Sequence, residues 1–211
     1  MKVLIACEES QAVCKAFRAL GHEAWSCDLQ ECSGGHPEWH IKTDVRNVIQ
    51  DRWDMMIAHP VCKRLANSGV RWLDVPPSGK TKVQMWKELF AAAEFYLELR
   101  NAPIPRKAIE NPIMHCYAKE LVGSPERHIV QPWFFGDPAF KATGFELINL
   151  PPLEPTNKLT PPKKGTQEYK EWSFIHRMPP GPEREKQRSK TFPGMAKAMA
   201  EQWSEDLKVI K

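Results

Sequence analysis

The sequence contains no stretch of eighteen or more apolar residues, so a membrane-spanning helix is not expected. The opening apolar run, in "MKVLIACEES", is too short for a secretory signal and lacks a small-residue cleavage site. A cytoplasmic protein is therefore expected. In that setting the six cysteines (7, 14, 27, 32, 62 and 116) read as free thiols, ligands or a nucleophile rather than disulfides. No internal repeat is present, which argues against a solenoid. "SGKTK" (78–82) lacks the first glycine and the preceding strand of a phosphate loop, which argues against a P-loop nucleotidase. Glycine is also missing from the turn after the first strand, "ACEESQAV".

What is present is 211 residues, enough for one domain with a proper core. The net charge of +4 is unevenly placed. Residues 1–150 hold 18 basic and 18 acidic side chains, and residues 151–211 hold 12 and 8. A basic segment on a neutral body suits a polyanionic partner, nucleic acid first, although a solvated basic surface has the same composition.

Hydrophobic patterning predicts strands at 2–7, 22–28, 39–44, 53–59, 106–111, 128–135 and 143–150. A first helix is expected after Ser10 as a possible cap, with Gly21 stopping it. A long helix over 80–100 would bury Val83, Trp86, Phe90, Ala93 and Leu97. Strands alternating with helices predict a doubly wound, mostly parallel, Rossmann-like α/β sheet. Ligands of such sheets collect beyond the carboxyl ends of the strands. Here those ends carry Cys7-Glu8, Asp28, Asp44, His59 to Cys62, and Glu110-Asn111. Residues 1–150 read as the core, 151–190 as an irregular, proline-rich basic excursion, and 191–211 as a closing helix.

Two pieces carry a resemblance. "WDMMIAHPVC" (53–62) is similar to the strand and Pro-Cys loop of DNA cytosine-5 methyltransferases, and "AIENP" (108–112) to their Glu-Asn pair after the next strand. A weaker echo, "FPGMAKAM" (192–199), lies where that family has its last motif. The resemblance spans residues 3 to about 150 and implies a sheet of class I methyltransferase type. It implies S-adenosyl-L-methionine as cofactor, held by Cys7, Glu8, Glu9, Ser10, Asp28, Leu29, Asp44, Val45 and His59. It also implies catalysis at Cys62, Glu110, Asn111 and Pro60. Lys63, Arg64, Ser68, Arg71, Gln131 and Lys141 would then face the substrate. The family's proline directly before the thiol is here Pro60-Val61-Cys62-Lys63, and its Gln-x-Arg-x-Arg region is represented only by Gln131 and Lys141. The small excursion in place of a target-recognition domain suits a phage-encoded or mobile-element member.

The chemistry stands beside the name. A pyrimidine C5 becomes nucleophilic only after a thiolate adds at C6, which needs an exposed cysteine of lowered pKa. Lys63 and Arg64 beside Cys62 are expected to lower it, while Glu110 would hold N3 and share a proton. Cys62 as a buried structural thiol, and Glu110 as a partner of Arg106 or Lys107, are the plainer readings. DNA, duplex or single-stranded, and a pyrimidine nucleotide both remain open as partners, as do another carbon donor and a non-catalytic binding module. Residues 67–80 read either as a loop closing over a base or as ordinary surface. Trp72, Trp86, Trp133 and Trp172 are candidates for stacking on bases or for the core. Cys27, Cys32, His36 and His40 form an alternative zinc-type set, with a loop folding over a nucleotide as the preferred reading of that segment.

Overall fold

The computed structural model describes residues 1–205; positions 206–211 of the expected closing segment lie outside the described residues. The strands are β1 (Lys2–Ala6), β2 (Glu23–Asp28), β3 (His40–Lys42), β4 (Met55–Ala58), β5 (Arg106–Glu110), β6 (His128–Val130) and β7 (Thr143–Ile148). They form one sheet in the order β3-β2-β1-β4-β5-β7-β6, parallel except for β7, which runs antiparallel to β5 and β6. The expected doubly wound, mostly parallel, Rossmann-like sheet is what the chain adopts. Its strand order reverses between β1 and β4, which opens a crevice at their carboxyl ends.

Both faces of the sheet are covered, so its central strands are apolar on both sides. Leu4, Ala6, Met56, Ala58 and Ile109 pack beneath α3 (Lys82–Asn101). The alternate residues Val3, Ile5, Met55, Ile57 and Ala108 pack against α1 (Ala12–Ala19) and the closing helix (Pro193–Glu205). Thr81 and Gln84 form a capping box that starts α3. The expected face of this helix is corrected. Val83 is 65% and Phe90 51% exposed, whereas Met85, Leu89, Ala93, Tyr96 and Leu99 are buried. Apolar side chains are spread around this helix among its charged ones, so periodicity offers two stripes and the sheet takes the one with Tyr96. That tyrosine donates to Glu146 on β7 at 2.7 Å.

Three further expectations change. The strand expected over 128–135 ends at Val130, because Pro132 has no N–H to donate and opens a 3-10 turn. Ser10 does not cap α1; Gln11 occupies that position with φ 58° and no side-chain cap bond. The 151–190 excursion is partly helical. After the short helices Arg71–Asp74 (α2) and Cys116–Val122 (α4), it contributes Gln167–Trp172 (α5), Phe174–Arg177 (α6) and Pro182–Ser189 (α7) before the closing helix, α8. The excursion lies against the segment joining β6 to β7, through Asn157 N–H to the Phe134 carbonyl (3.1 Å), Leu159 N–H to the Trp133 carbonyl (2.8 Å) and Phe140 N–H to the Trp172 carbonyl (2.9 Å). No helix among the described residues is long and apolar enough to cross a membrane.

Candidate active site

Ala58 and Ile109 are register partners, so His59 and Glu110 leave adjacent parallel strands at the same level. His59 Nδ1 and Glu110 Oε2 lie 3.1 Å apart, with the two side chains 6% and 24% exposed. Beyond His59 the chain passes through buried Pro60 and solvent-facing Val61 to half-buried Cys62. The Cys62 carbonyl then accepts from Leu65 N–H (3.0 Å) and Ala66 N–H (2.9 Å), closing a turn that begins at the thiol residue.

This turn is bound to the segment after Glu110. Asn67 N–H donates to Ile113 (2.6 Å), His115 N–H to Leu65 (3.2 Å), and His115 Nε2 pairs the Arg64 carbonyl at 2.8 Å. Gly69 is needed here, because a Cβ would come within 2.4 Å of the Lys63 carbonyl oxygen. The nucleophile loop and the Glu110 loop are therefore one structural unit, and Glu110 lies near enough to Cys62 for its charge to bear on the thiol.

The expected cations are not those beside the sulfur. Lys63 is paired with Glu185 on α7 (3.0 Å) and Arg64 with Glu88 on α3 (2.7 Å). Ser68 and Arg71 are exposed, and Arg71 lies over the Trp72 ring at 4.2 Å. Lys141 and Arg188 instead bear on both Cys62 and Glu110. Gln131 orders this corner by accepting from Lys141 N–H at 3.2 Å. The expected acidic thiol is also corrected. Burial, followed by the Glu110 charge, pushes Cys62 up to about 11, and Lys141 and Arg188 only partly oppose this. Burial alone would raise Glu110 too. The His59 hydrogen bond and charge, with Lys141 and Arg188, outweigh it and hold the carboxyl below its ordinary value. The resting pair is a thiol beside a carboxylate. Asn111 follows it with both side-chain amide atoms buried and without partners among the described residues.

At the other end of the crevice, Cys7 sits with φ 58° at the end of β1. Burial, then Asp28, Cys27 and Asp44, push its thiol to about 12, which places those groups around it. Glu8 is buried and caps α1, accepting from Val13 N–H at 2.7 Å and Cys14 N–H at 3.2 Å; Ser10 Oγ lies 3.5 Å from it. Gln11 takes the place of a glycine turn, its amide bonded to Ser26 Oγ (3.2 Å) and to the His36 carbonyl (2.8 Å) and N–H (3.1 Å). Glu9 Oε1 is buried without a partner among the described residues. Leu29 is 69% exposed beside Asp28, whereas Val45 is part of the core. Asp44 caps the following turn through Arg46 N–H (3.0 Å). His59, expected among the cofactor residues, is joined to Glu110.

The zinc-type set does not assemble. Both ring nitrogens of His40 are used, by Ser26 Oγ (2.8 Å) and the Gln30 carbonyl (2.9 Å), His36 stacks on Trp39, and Cys27 is buried. Among the described residues no group of three or more potential metal ligands forms. Trp172 is buried against Phe140, so it is a core residue. Sequence reasoning missed Arg184 and Arg188 of α7. The signal was present in "PEREKQRS", with proline at the first turn, acids following and bases at the end. No family model matches this chain, and no curated protein is significantly similar to it in sequence.

The thiols carry a pH prediction. Cys7, Cys14, Cys27 and Cys62 are raised from 9.0 to about 12, 12, 11 and 11, chiefly by burial. A raised thiol contributes stability that is complete below the unfolded value and lost as pH climbs through the folded one. Urea midpoints are therefore expected to fall between pH 9 and 11, and to fall less in Cys14→Ala. Equal losses in both proteins would show that the buried thiol is not responsible.

Proposed function

We propose that the chain is an S-adenosylmethionine-dependent C5 methyltransferase that acts on cytosine in DNA through a covalent adduct of Cys62. The observation that carries this reading is the Cys62–Glu110 pair at the ends of adjacent parallel strands, with His59 fixing the carboxylate. The donor set at the other end of the crevice fits the proposed cofactor. Asp28 suits the hydroxyl donors of an adenosine, Asp44 already accepts from Arg46 through both oxygens and has its remaining lone pairs for an amino donor, and the Glu9 oxygen without a partner among the described residues suits an ammonium. Bound S-adenosylmethionine supplies an electrophilic methyl group for C5.

The resting protonation states make the addition self-sufficient. Cys62 S–H gives its proton to the Glu110 carboxylate as sulfur bonds C6, and Glu110 passes that proton to N3 as the C5–C6 π pair becomes an enamine. After methylation the C5 proton leaves to a base, the S–C6 bond breaks, and the N3 proton returns through Glu110 to sulfur. His59 keeps the carboxylate ionised, and therefore able to accept.

One observation favours a smaller or single-stranded substrate as the second reading. The basic excursion is seated on the nucleophile loop through Lys63–Glu185, and Lys141 Nζ donates to the Lys190 carbonyl at 2.8 Å. The test is incubation with duplex DNA, single-stranded DNA or a nucleotide containing 5-fluorocytosine, each with S-adenosylmethionine. A denaturation-resistant adduct, absent in Cys62→Ala, is expected. The substrate that forms it decides between the readings, and no adduct with any of the three would leave a non-catalytic binding module.

A further inference from the structure

Helix α7 turns two arginines the same way. Arg184 and Arg188 are four residues apart and so share one face, and Arg188 bears on Cys62, Glu110 and Lys141. Between them Glu185 binds Lys63, fixing the helix against the nucleophile loop. The Arg184 Nε is buried with no partner among the described residues. Lys141, half-buried, spends its ammonium on the Lys190 carbonyl, and among the described residues neither it nor Arg184 nor Arg188 forms an ion pair.

The local charges do not balance. Two cations, Lys141 and Arg188, bear on one carboxylate, Glu110, which His59 already occupies, Arg184 lies one turn from Arg188 on the same helix, and the neighbouring Cys62 rests as a neutral thiol. Arg188 is exposed, but a buried donor without a partner, as at Arg184 Nε, is costly, and a chain that keeps one beside further cations has a use for an anion there. Guanidinium forks match phosphate oxygens in pairs, and an ammonium adds a point charge.

We infer that Lys141, Arg184 and Arg188 form a seat for a phosphate ester of the substrate, on the α7 side of the Cys62–Glu110 pair. Only the identity of what hangs from that phosphate, a pyrimidine nucleotide unit, rests on the proposed function. The phosphate has two sources, a free nucleotide or a nucleic-acid backbone.

Calorimetric titration of the full chain with deoxycytidine, deoxycytidine 5′-monophosphate, 2-deoxyribose 5-phosphate and a single-stranded oligonucleotide separates them. In the wild type a phosphate-bearing probe is expected to bind about tenfold or more tightly than the nucleoside. In Arg184→Gln/Arg188→Gln that advantage should vanish, and the double lysine variant should recover part of it. Circular dichroism and urea midpoints report whether the variants are folded. An advantage seen with the mononucleotide identifies a free nucleotide, and one confined to the oligonucleotide identifies a nucleic acid. If phosphate probes bind the glutamine variant as tightly as the wild type, the seat is wrong. If 2-deoxyribose 5-phosphate shows the arginine dependence while no 5-fluorocytosine adduct forms, the seat stands and the C5 chemistry fails.

Discussion

Glu110→Gln is expected to make Cys62 react faster with iodoacetamide and, in the same protein, to stop turnover. The two effects have one cause. After burial, the Glu110 charge is the largest influence raising the thiol, so an amide there lowers the Cys62 pKa from about 11 and leaves Lys141 and Arg188 unopposed. Each unit of decrease gives about tenfold more thiolate at a pH below both values. Burial remains, so the thiol stays above an exposed cysteine. Glutamine, however, can neither take the thiol proton nor deliver one to N3, and the loss of such a group costs roughly 10²–10⁴ in rate. A purely structural Glu110 would either change neither reaction or, through misfolding, stop turnover while speeding alkylation of Cys7, Cys14 and Cys27 along with Cys62. Alkylation rates across pH, read beside adduct formation, therefore separate a catalytic carboxylate from a strand-end ornament. His59→Asn should shift both properties less, since it removes the carboxylate's partner and leaves the carboxylate.

The sheet was legible because buried parallel strands announce themselves as short apolar runs, and "KVLIA", "MMIA" and "KAI" all sit where they were read. The order of chemical groups along the carboxyl edge followed directly from that. Helix faces and charge partners were not legible. Lys63 and Arg64 adjoin Cys62 in sequence, yet a turn of backbone sends their side chains to α7 and α3. The cations that do reach the thiol come from positions 141 and 188, which only the folded excursion brings near. Proline and lysine in "TPPKKG" and "RMPPGP" masked three short helices, because none is long enough for its own periodicity to show. Likewise, the lack of glycine after β1 gave no hint that Glu8 would cap α1 and Gln11 would occupy the turn.

Trp203→Ala is expected to cost the fold about 3–5 kcal/mol, the largest stability loss for a single truncation on this face. The indole is fully buried between the sheet and α1, and its Nε1–H donates to the Pro151 carbonyl at 3.0 Å. Truncation leaves a cavity and strips that carbonyl of its donor at once. A chain of this length should melt roughly 10 °C lower as a result. Trp203→Phe keeps most of the volume and loses the N–H, so it should cost about 1–3 kcal/mol. The consequence reaches the site, because the start of α8 grips the turn before Lys141. Gly194 N–H donates to Asp137 at 2.9 Å, and the Gly194 Cα passes so close to the Phe135 carbonyl that a Cβ would come within 2.2 Å. Loosening α8 frees that turn, and with it the lysine that bears on Cys62 and Glu110. Phosphate-probe affinity should therefore fall in Trp203→Ala at temperatures well below its melting point, while the iodoacetamide profile of Cys62 moves upward in pH. A variant that melts early but binds and alkylates like the wild type would show that α8 only closes the core, and that the excursion positions Lys141 without it.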